Sequence, residues 1–215
     1  MIAIFGGGEI ASKGIVPAVG GTLVPYEDCD VRNIHEVTRT VERLRPETVI
    51  FTAGVSRPRS VVVAKPTEYR EEIETNLLGA FHVAHVGARL GVKTFVFIAS
   101  LAGLYGKPDH AGYSASKAGL ISLVQSLALE SHDAYAISPG RVDTSMRERD
   151  YPGEDPRTRL DPLVIGGVVR DILAGQYQPG DNVVVRMRGF DQLPLEVHSG
   201  DGWREKLMVG QPKTC

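Results

Sequence analysis

The sequence predicts an open α/β fold: a single domain over residues 1–215, with a mostly parallel sheet and helices on both faces. Three observations carry this. Short apolar runs alternate with longer stretches whose apolar residues recur every three or four positions, which is the order of strands and helices in a parallel sheet. The first run, MIAIF at 1–5, leads at once into Gly6, Gly7 and Gly8 and then a helix-like stretch. A later run ends on Ser100, just before a helical stretch that carries Tyr113 and Lys117. In open α/β sheets ligands bind at the carboxyl ends of the strands.

Bulk properties narrow the class. The chain has 215 residues, 42% apolar and 23% charged, ordinary values for a globular domain with a real core. Its formal net charge of −2 provides no attraction to nucleic acid or an anionic membrane, so neither is expected as a partner. Cys29 and Cys215 are the only cysteines, too few and too badly placed to suggest a structural disulfide, and a reducing compartment follows. No apolar run reaches the roughly 18–20 residues of a membrane span. The first residues lack the basic start and cleavage site of a leader and read as a strand, so the expected location is the cytoplasm. No metal site is expected.

Taken in order, the elements support the fold. The glycines at 6–8 let the backbone come close to a pyrophosphate at a helix N-terminus, although a plain glycine-rich turn gives the same pattern. Residues 22–26 form a second strand in which Pro25 argues for an edge or a bend. Apolar residues at 34, 37, 41 and 44 mark a helix. Residues 48–52 make a buried strand ending at Ala53-Gly54, and the loop 55–66 places Arg57 and Arg59 near the cleft. A long helix over 68–90 carries Asn76, an intrinsically mediocre helix former. A strand over 92–100 follows, then a helix over 112–129 packed through Leu120, Leu123, Val124 and Leu127, then a strand at 135–140. The stretch 145–160 is polar and suits a lid; Arg147, Arg149, Arg157 and Arg159 suggest a polar or anionic substrate, or simply a solvated charge run. A helix over 160–174 and a strand over 182–187 complete the pattern. Residues 188–215 show no clear period and read as an irregular tail holding Trp203, the only tryptophan.

The chemistry concentrates between 100 and 117. Tyrosine and lysine at i and i+4 share one helix face, so the ammonium of Lys117 lies beside the phenol of Tyr113 and favours the phenolate. A tyrosine brought towards neutrality is a general acid or base. Ser100 would present its hydroxyl where strand meets loop.

The phrase IASLAG…YSASKAGLISLVQSLALE resembles the short-chain dehydrogenase/reductase family, and this resemblance implies a Rossmann-like, doubly wound sheet. It also implies roles. Tyr113 passes the proton, Lys117 tunes it and holds the cofactor ribose, and Ser100 bonds the reacting oxygen. Asn76, within TNLLGAF, matches the asparagine whose backbone carbonyl holds a water beside the lysine. For the cofactor, the family pattern points to Gly6, Gly7, Gly8 and Ile10, to Asp30 and Val31 beside the adenine, and to Ala53 and Gly54 at the ribose. Pro139 and Gly140 match the turn after the following strand, and Val142 and Thr144 the positions that hold the carboxamide. Glu27, Asp28 or Asp30 would accept hydrogen bonds from the adenosine ribose and repel a 2′-phosphate, so NAD(P)(H) is expected with a leaning to NAD(H), while Lys13 and Arg32 pull the other way. The pattern is shortened. Ile10 and Ser12 stand where later glycines are usual, Glu9 brings a negative charge to the turn, and a helix and most of a strand are missing before Asp30.

The resemblance therefore implies an NAD(P)-dependent oxidoreductase moving hydride between nicotinamide and a carbonyl or alcohol substrate. The helices at 68–90 and 112–129 would pair in a homodimer or homotetramer. A nucleotide-binding sensor of the same fold, and a nucleotide-sugar-modifying relative, are the alternatives.

Overall fold

The computed structural model of the protein describes residues 1–187 and, as backbone, 203–208. Among these residues seven strands form one sheet: β1 (Ile2–Phe5), β2 (Thr22–Val24), β3 (Thr48–Phe51), β4 (Thr94–Ile98), β5 (Asp133–Pro139), β6 (Asn182–Met187) and β7 (Trp203–Met208). They lie in the order β2-β1-β3-β4-β5-β6-β7, and every neighbouring pair is parallel. The runs IAIF, TVIF and TFVFI are buried beyond their first residue, because a parallel sheet is covered on both faces and its strands read as unbroken apolar runs.

One face is covered by α2 (Ile34–Leu44), α4 (Gly79–Arg89) and α5 (Ala111–Leu129), which close a core around Phe51, Phe95, Phe97 and Leu120. On the other face a π-helical turn, Ile10–Ile15, runs into α1 (Val16–Val19) and packs with α7 (Pro162–Leu173) over Ile4, Ile50 and Ile137. Helix starts follow local chemistry. Asn33 caps α2 by accepting from the His35 N–H at 3.1 Å, and Asp161 caps α7 through the Leu163 N–H at 2.9 Å with Pro162 next. Both are side-chain oxygens meeting donors that a helix leaves unpaired.

The sheet positions the site through one feature. The chain leaves β1 for β2 on one side and returns to β3 on the other, so the strand order reverses between β1 and β3 and a crevice opens at their carboxyl ends. Pro25 ends the edge strand β2 as its type requires. The long helix expected over 68–90 is built as α3 (Pro66–Ile73), a π turn over Glu74–Leu78, and α4. Within the expected lid, α6 (Ser145–Asp150) is a short helix. Trp203–Met208, in the stretch read as an irregular tail, is a strand parallel to β6, with Asn182 opposite Trp203 and Met187 opposite Met208; the rest of that tail lies outside the described residues. No helix among the described residues is long and apolar enough to cross a membrane.

Candidate active site

Two adjoining cavities follow the carboxyl edge of the sheet. The first, about 760 Å³, is lined by Gly6, Gly7, Gly8, Ile10, Asp30, Val31, Ala53 and Gly54. The second, about 660 Å³, is lined by Ser100, Tyr113, Lys117, Pro139, Gly140, Val142 and Thr144. Ile10, Gly54 and Thr144 border both. The sequence-chosen residues are thus brought together, with two exceptions. Glu27 sits on an exposed turn outside either lining, and Asn76 is fully buried behind them.

The first cavity fits a dinucleotide. Gly6 has φ +118°, and a Cβ there would lie 2.6 Å from the Ala53 amide nitrogen, so only glycine lets the turns after β1 and β3 approach this closely. Around Gly8 nothing lies within 4 Å of such a Cβ, leaving exposed backbone for a pyrophosphate. Glu9, expected to be an unwelcome charge, is engaged across the crevice. Both its oxygens accept from the Ser145 N–H at 3.1 Å, and one accepts from Ser145 Oγ at 3.0 Å. At the other end, Asp30 is the carboxylate that faces the cavity. It holds Arg32 in a fork, with Nε at 2.9 Å and Nη2 at 2.7 Å, and this guanidinium keeps its carboxyl below the usual range. The expected repulsion of a 2′-phosphate is accordingly reduced: the negative charge is already matched.

In the second cavity Ser100, two residues beyond the end of β4, caps a 3₁₀ turn (Leu101–Gly103), its Oγ accepting from the Ala102 N–H at 3.1 Å. The same hydroxyl shares its cavity with the phenol of Tyr113 and favours the ionised form of that phenol. One turn further along α5, Lys117 is 4% exposed and donates to the Ile98 carbonyl at 2.8 Å, with Nζ 5.6 Å from the Tyr113 ring centre. The start of α5 lies against buried Glu72, whose carboxylate a Cβ at Gly112 would strike and which accepts from the Arg57 N–H at 2.7 Å.

The electrostatics correct one expectation. An ammonium beside the phenol was expected to favour phenolate. Instead burial pushes the Tyr113 phenol up to about 12, against the pull of the Ser100 hydroxyl, and burial pushes Lys117 down to about 8. Desolvation disfavours both charged forms and outweighs the attraction between them. Tyr113 therefore holds its proton at neutral pH.

Asn76 occupies the π turn, where such turns often mark functional sites. Its Nδ2 donates to the Val55 carbonyl at 2.9 Å and to Ser116 Oγ at 3.0 Å, while Oδ1 accepts from the Val55 N–H at 2.7 Å. It ties the loop after β3 to α5 and so acts as a positioning residue.

Sequence reasoning missed a cluster on the opposite wall. Lys107, His110 and Tyr151 line the second cavity. Lys107 Nζ donates to Tyr151 Oη at 3.0 Å, and that hydroxyl meets His110 Nε2 at 3.0 Å. The Pro108 carbonyl can only accept, so the Nδ1 of His110 donates to it at 2.8 Å. The rings of His110 and Tyr151 stack at 5.7 Å, and His110 meets Tyr113 edge-on at 6.2 Å. The available signal was KPDH placed two residues before YSASK. The lid arginines, by contrast, are spent on carboxylates. Arg147 reaches Glu154 at 2.7 Å and Arg159 reaches it at 3.3 Å, Arg149 pairs with Asp150, and Arg157 pairs with Asp155. Arg57 likewise pairs with Glu71, and Arg59 donates to the Pro58 carbonyl.

The comparisons agree with this geometry. The profile of the short chain dehydrogenase family matches residues 16–155. A 3-oxoacyl-(acyl-carrier-protein) reductase of Mycobacterium avium is 31% identical over 55% of this chain and 52% of its own length. One from Thermotoga maritima is 28% identical over 68% and 64%, so the match spans half to two-thirds of these curated relatives. The solved structure of a 3-oxoacyl-(acyl-carrier-protein) reductase from Brucella melitensis superposes with a TM-score of 0.70 at 20% identity, over 86% of this chain and 89% of that one, and shows the shared fold. With strand order, glycine crevice and the Ser100, Tyr113 and Lys117 group already in place, the match establishes that this chain belongs to the short-chain dehydrogenase/reductase family.

Proposed function

We propose that the protein is an NAD(P)-dependent reductase of a carbonyl substrate, with Tyr113 as the general acid. The observation that carries this reading is the placement of Ser100, Tyr113 and Lys117 together in a cavity that opens into the glycine crevice. A bound nicotinamide cofactor would supply the hydride. The chain's own groups do the rest. Ser100 orients the carbonyl oxygen, and Tyr113 delivers a proton to that oxygen. Lys117 supports the ribose side of the crevice, and Asn76 keeps Val55 and α5 in register. Gly6–Gly8 would take the pyrophosphate, and Val142 and Thr144 the carboxamide. Asp30 supports NAD(H) as the preferred form, since it faces the adenosine end.

The assembly we propose is a homodimer or homotetramer through α4 and α5, supported by exposed Phe81 and Leu129 on these helices, with light scattering as its check. A reducing compartment such as the cytoplasm suits Cys29, a buried free thiol. The deciding experiment follows nicotinamide absorbance while a panel of ketones and aldehydes is offered with NADH or NADPH. Turnover that disappears in Tyr113→Phe supports the reading. A wild-type protein that binds neither dinucleotide sinks it.

A further inference from the structure

The second cavity has a cationic wall that the proton transfer does not use. Its lining holds Lys107, Lys117, Arg141 and Arg147 against the carboxylates Asp150 and Glu154, so positive charge is in excess. Most of it is committed. Glu154 receives Arg147 and Arg141, Asp150 receives Arg149, and Lys117 lies against the Ile98 carbonyl. Lys107 differs. It is half-buried, and its contacts are the neutral hydroxyl of Tyr151 and the face of that ring at 4.8 Å. Among the described residues it forms no ion pair with a carboxylate.

Its mount is rigid. The Tyr151 ring is stacked on buried His110, bonded to it through the hydroxyl, and covered on one face by the Arg147 guanidinium at 3.7 Å. A cation already held in place loses little freedom on binding, and a half-buried position strengthens its attraction to an anion. The same His110 touches the edge of Tyr113, so an anion on Lys107 lies in the cavity where the carbonyl must sit.

We infer that the substrate carries a carboxylate besides its carbonyl, and that Lys107 receives this carboxylate. This rests on the reductase reading above. The reaction would convert an oxo acid into a hydroxy acid: hydride from the reduced nicotinamide adds to the carbonyl carbon, the Tyr113 proton goes to the carbonyl oxygen, the nicotinamide is oxidised, and the carboxylate is unchanged. A lone lysine discriminates by charge, so the neutral ester of the same acid is the proper control.

The test compares pyruvate, acetoacetate and levulinate with their methyl esters, using NADH and NADPH. For at least one pair the acid should exceed the ester in kcat/KM by tenfold or more. Lys107→Gln should bring that ratio close to one, mainly through KM, and Lys107→Arg should keep it. Esters that match or beat their acids throughout, or a ratio unmoved in Lys107→Gln, would overturn the inference while leaving the reductase reading intact. Calorimetric titration of the three acids separates the opposite case. If nothing is reduced but an acid binds in a Lys107-dependent way, the carboxylate site stands and the reductase reading falls. If no acid binds to the wild-type protein and none is reduced in preference to its ester, the site is refuted.

Discussion

Asn76 grips Val55 by both of its backbone polar groups, accepting from the N–H at 2.7 Å and donating to the C=O at 2.9 Å. One side chain on a helix thus does the work of a neighbouring strand for a loop residue. The same amide reaches Ser116 on α5, so the loop that borders both cavities and the helix that carries Tyr113 share a single fastening. Truncating it to Ala leaves a part-buried donor and acceptor of Val55 without partners, at a cost of about 1–3 kcal/mol. Urea denaturation of Asn76→Ala should show a loss of that size, and Ser116→Ala, which removes the bond from Asn76 and the one to the Tyr113 carbonyl but leaves Val55 held, should lose less.

Tyr113→Phe removes the transferable proton and leaves the ring and its contact with His110. Turnover should fall by about 10²–10⁴-fold, the usual worth of a general acid, while dinucleotide affinity stays within about twofold. Equal affinity with unchanged turnover would reassign Tyr113 to a packing role.

Lys117 gives a pH signature. Its folded-state value is lowered to about 8 from 10.5, so the unfolded chain holds the extra proton between those values. Burial of the ammonium therefore costs stability in full below pH 8, and the cost is relieved as pH climbs towards 10.5. Lys117→Met should be more stable than the parent at pH 7, by on the order of 2 kcal/mol, and the gap should close by pH 10. Tyr113 acts in the opposite direction at higher pH: its folded value is raised to about 12 from 10, so the stability it lends is lost between pH 10 and 12. Chemical denaturation across pH 6–11 checks the first change and the onset of the second.

Asp30 and Arg32 set the nucleotide preference together. Asp30→Ala releases the Arg32 guanidinium from its fork and removes the carboxylate at the adenosine end. NADPH should then gain at least about tenfold relative to NADH, as when a mismatched charge is exchanged for a matched one. Binding isotherms for both reduced cofactors measure the ratio directly. An unchanged ratio would show that the 2′ position lies elsewhere.

Ser100, Tyr113 and Lys117 were legible because their relationship is local: one strand end, one turn and one helix face. Alternating apolar runs likewise disclosed six strands, since a parallel sheet buries both faces. β7 escaped because WREKLM carries three charges in a row, so it reads neither as an apolar run nor as an alternating strand. Glu27 and Asp30 are indistinguishable by spacing; the turn over 26–28, which exposes one and leaves the other at the cavity, is a tertiary outcome. The lid arginines looked like anion ligands because Glu154 lies several residues away from them, and only folding brings it among three guanidinium groups. The raised Tyr113 value follows from burial, a property of the surrounding cavity that no i, i+4 rule contains.

Parallel pairing has a further consequence, for the order of assembly. A sheet of this kind contains no hairpin, so no strand can find its neighbour through a tight turn. β1 lies between β2 and β3; the Thr52 hydroxyl that bonds the Phe5 carbonyl is 47 positions distant. The glycine crevice thus forms only after two long crossovers have closed, and such non-local closure slows folding. The amides of β1 and β3, locked late and from both sides, should exchange with solvent only when the whole sheet opens.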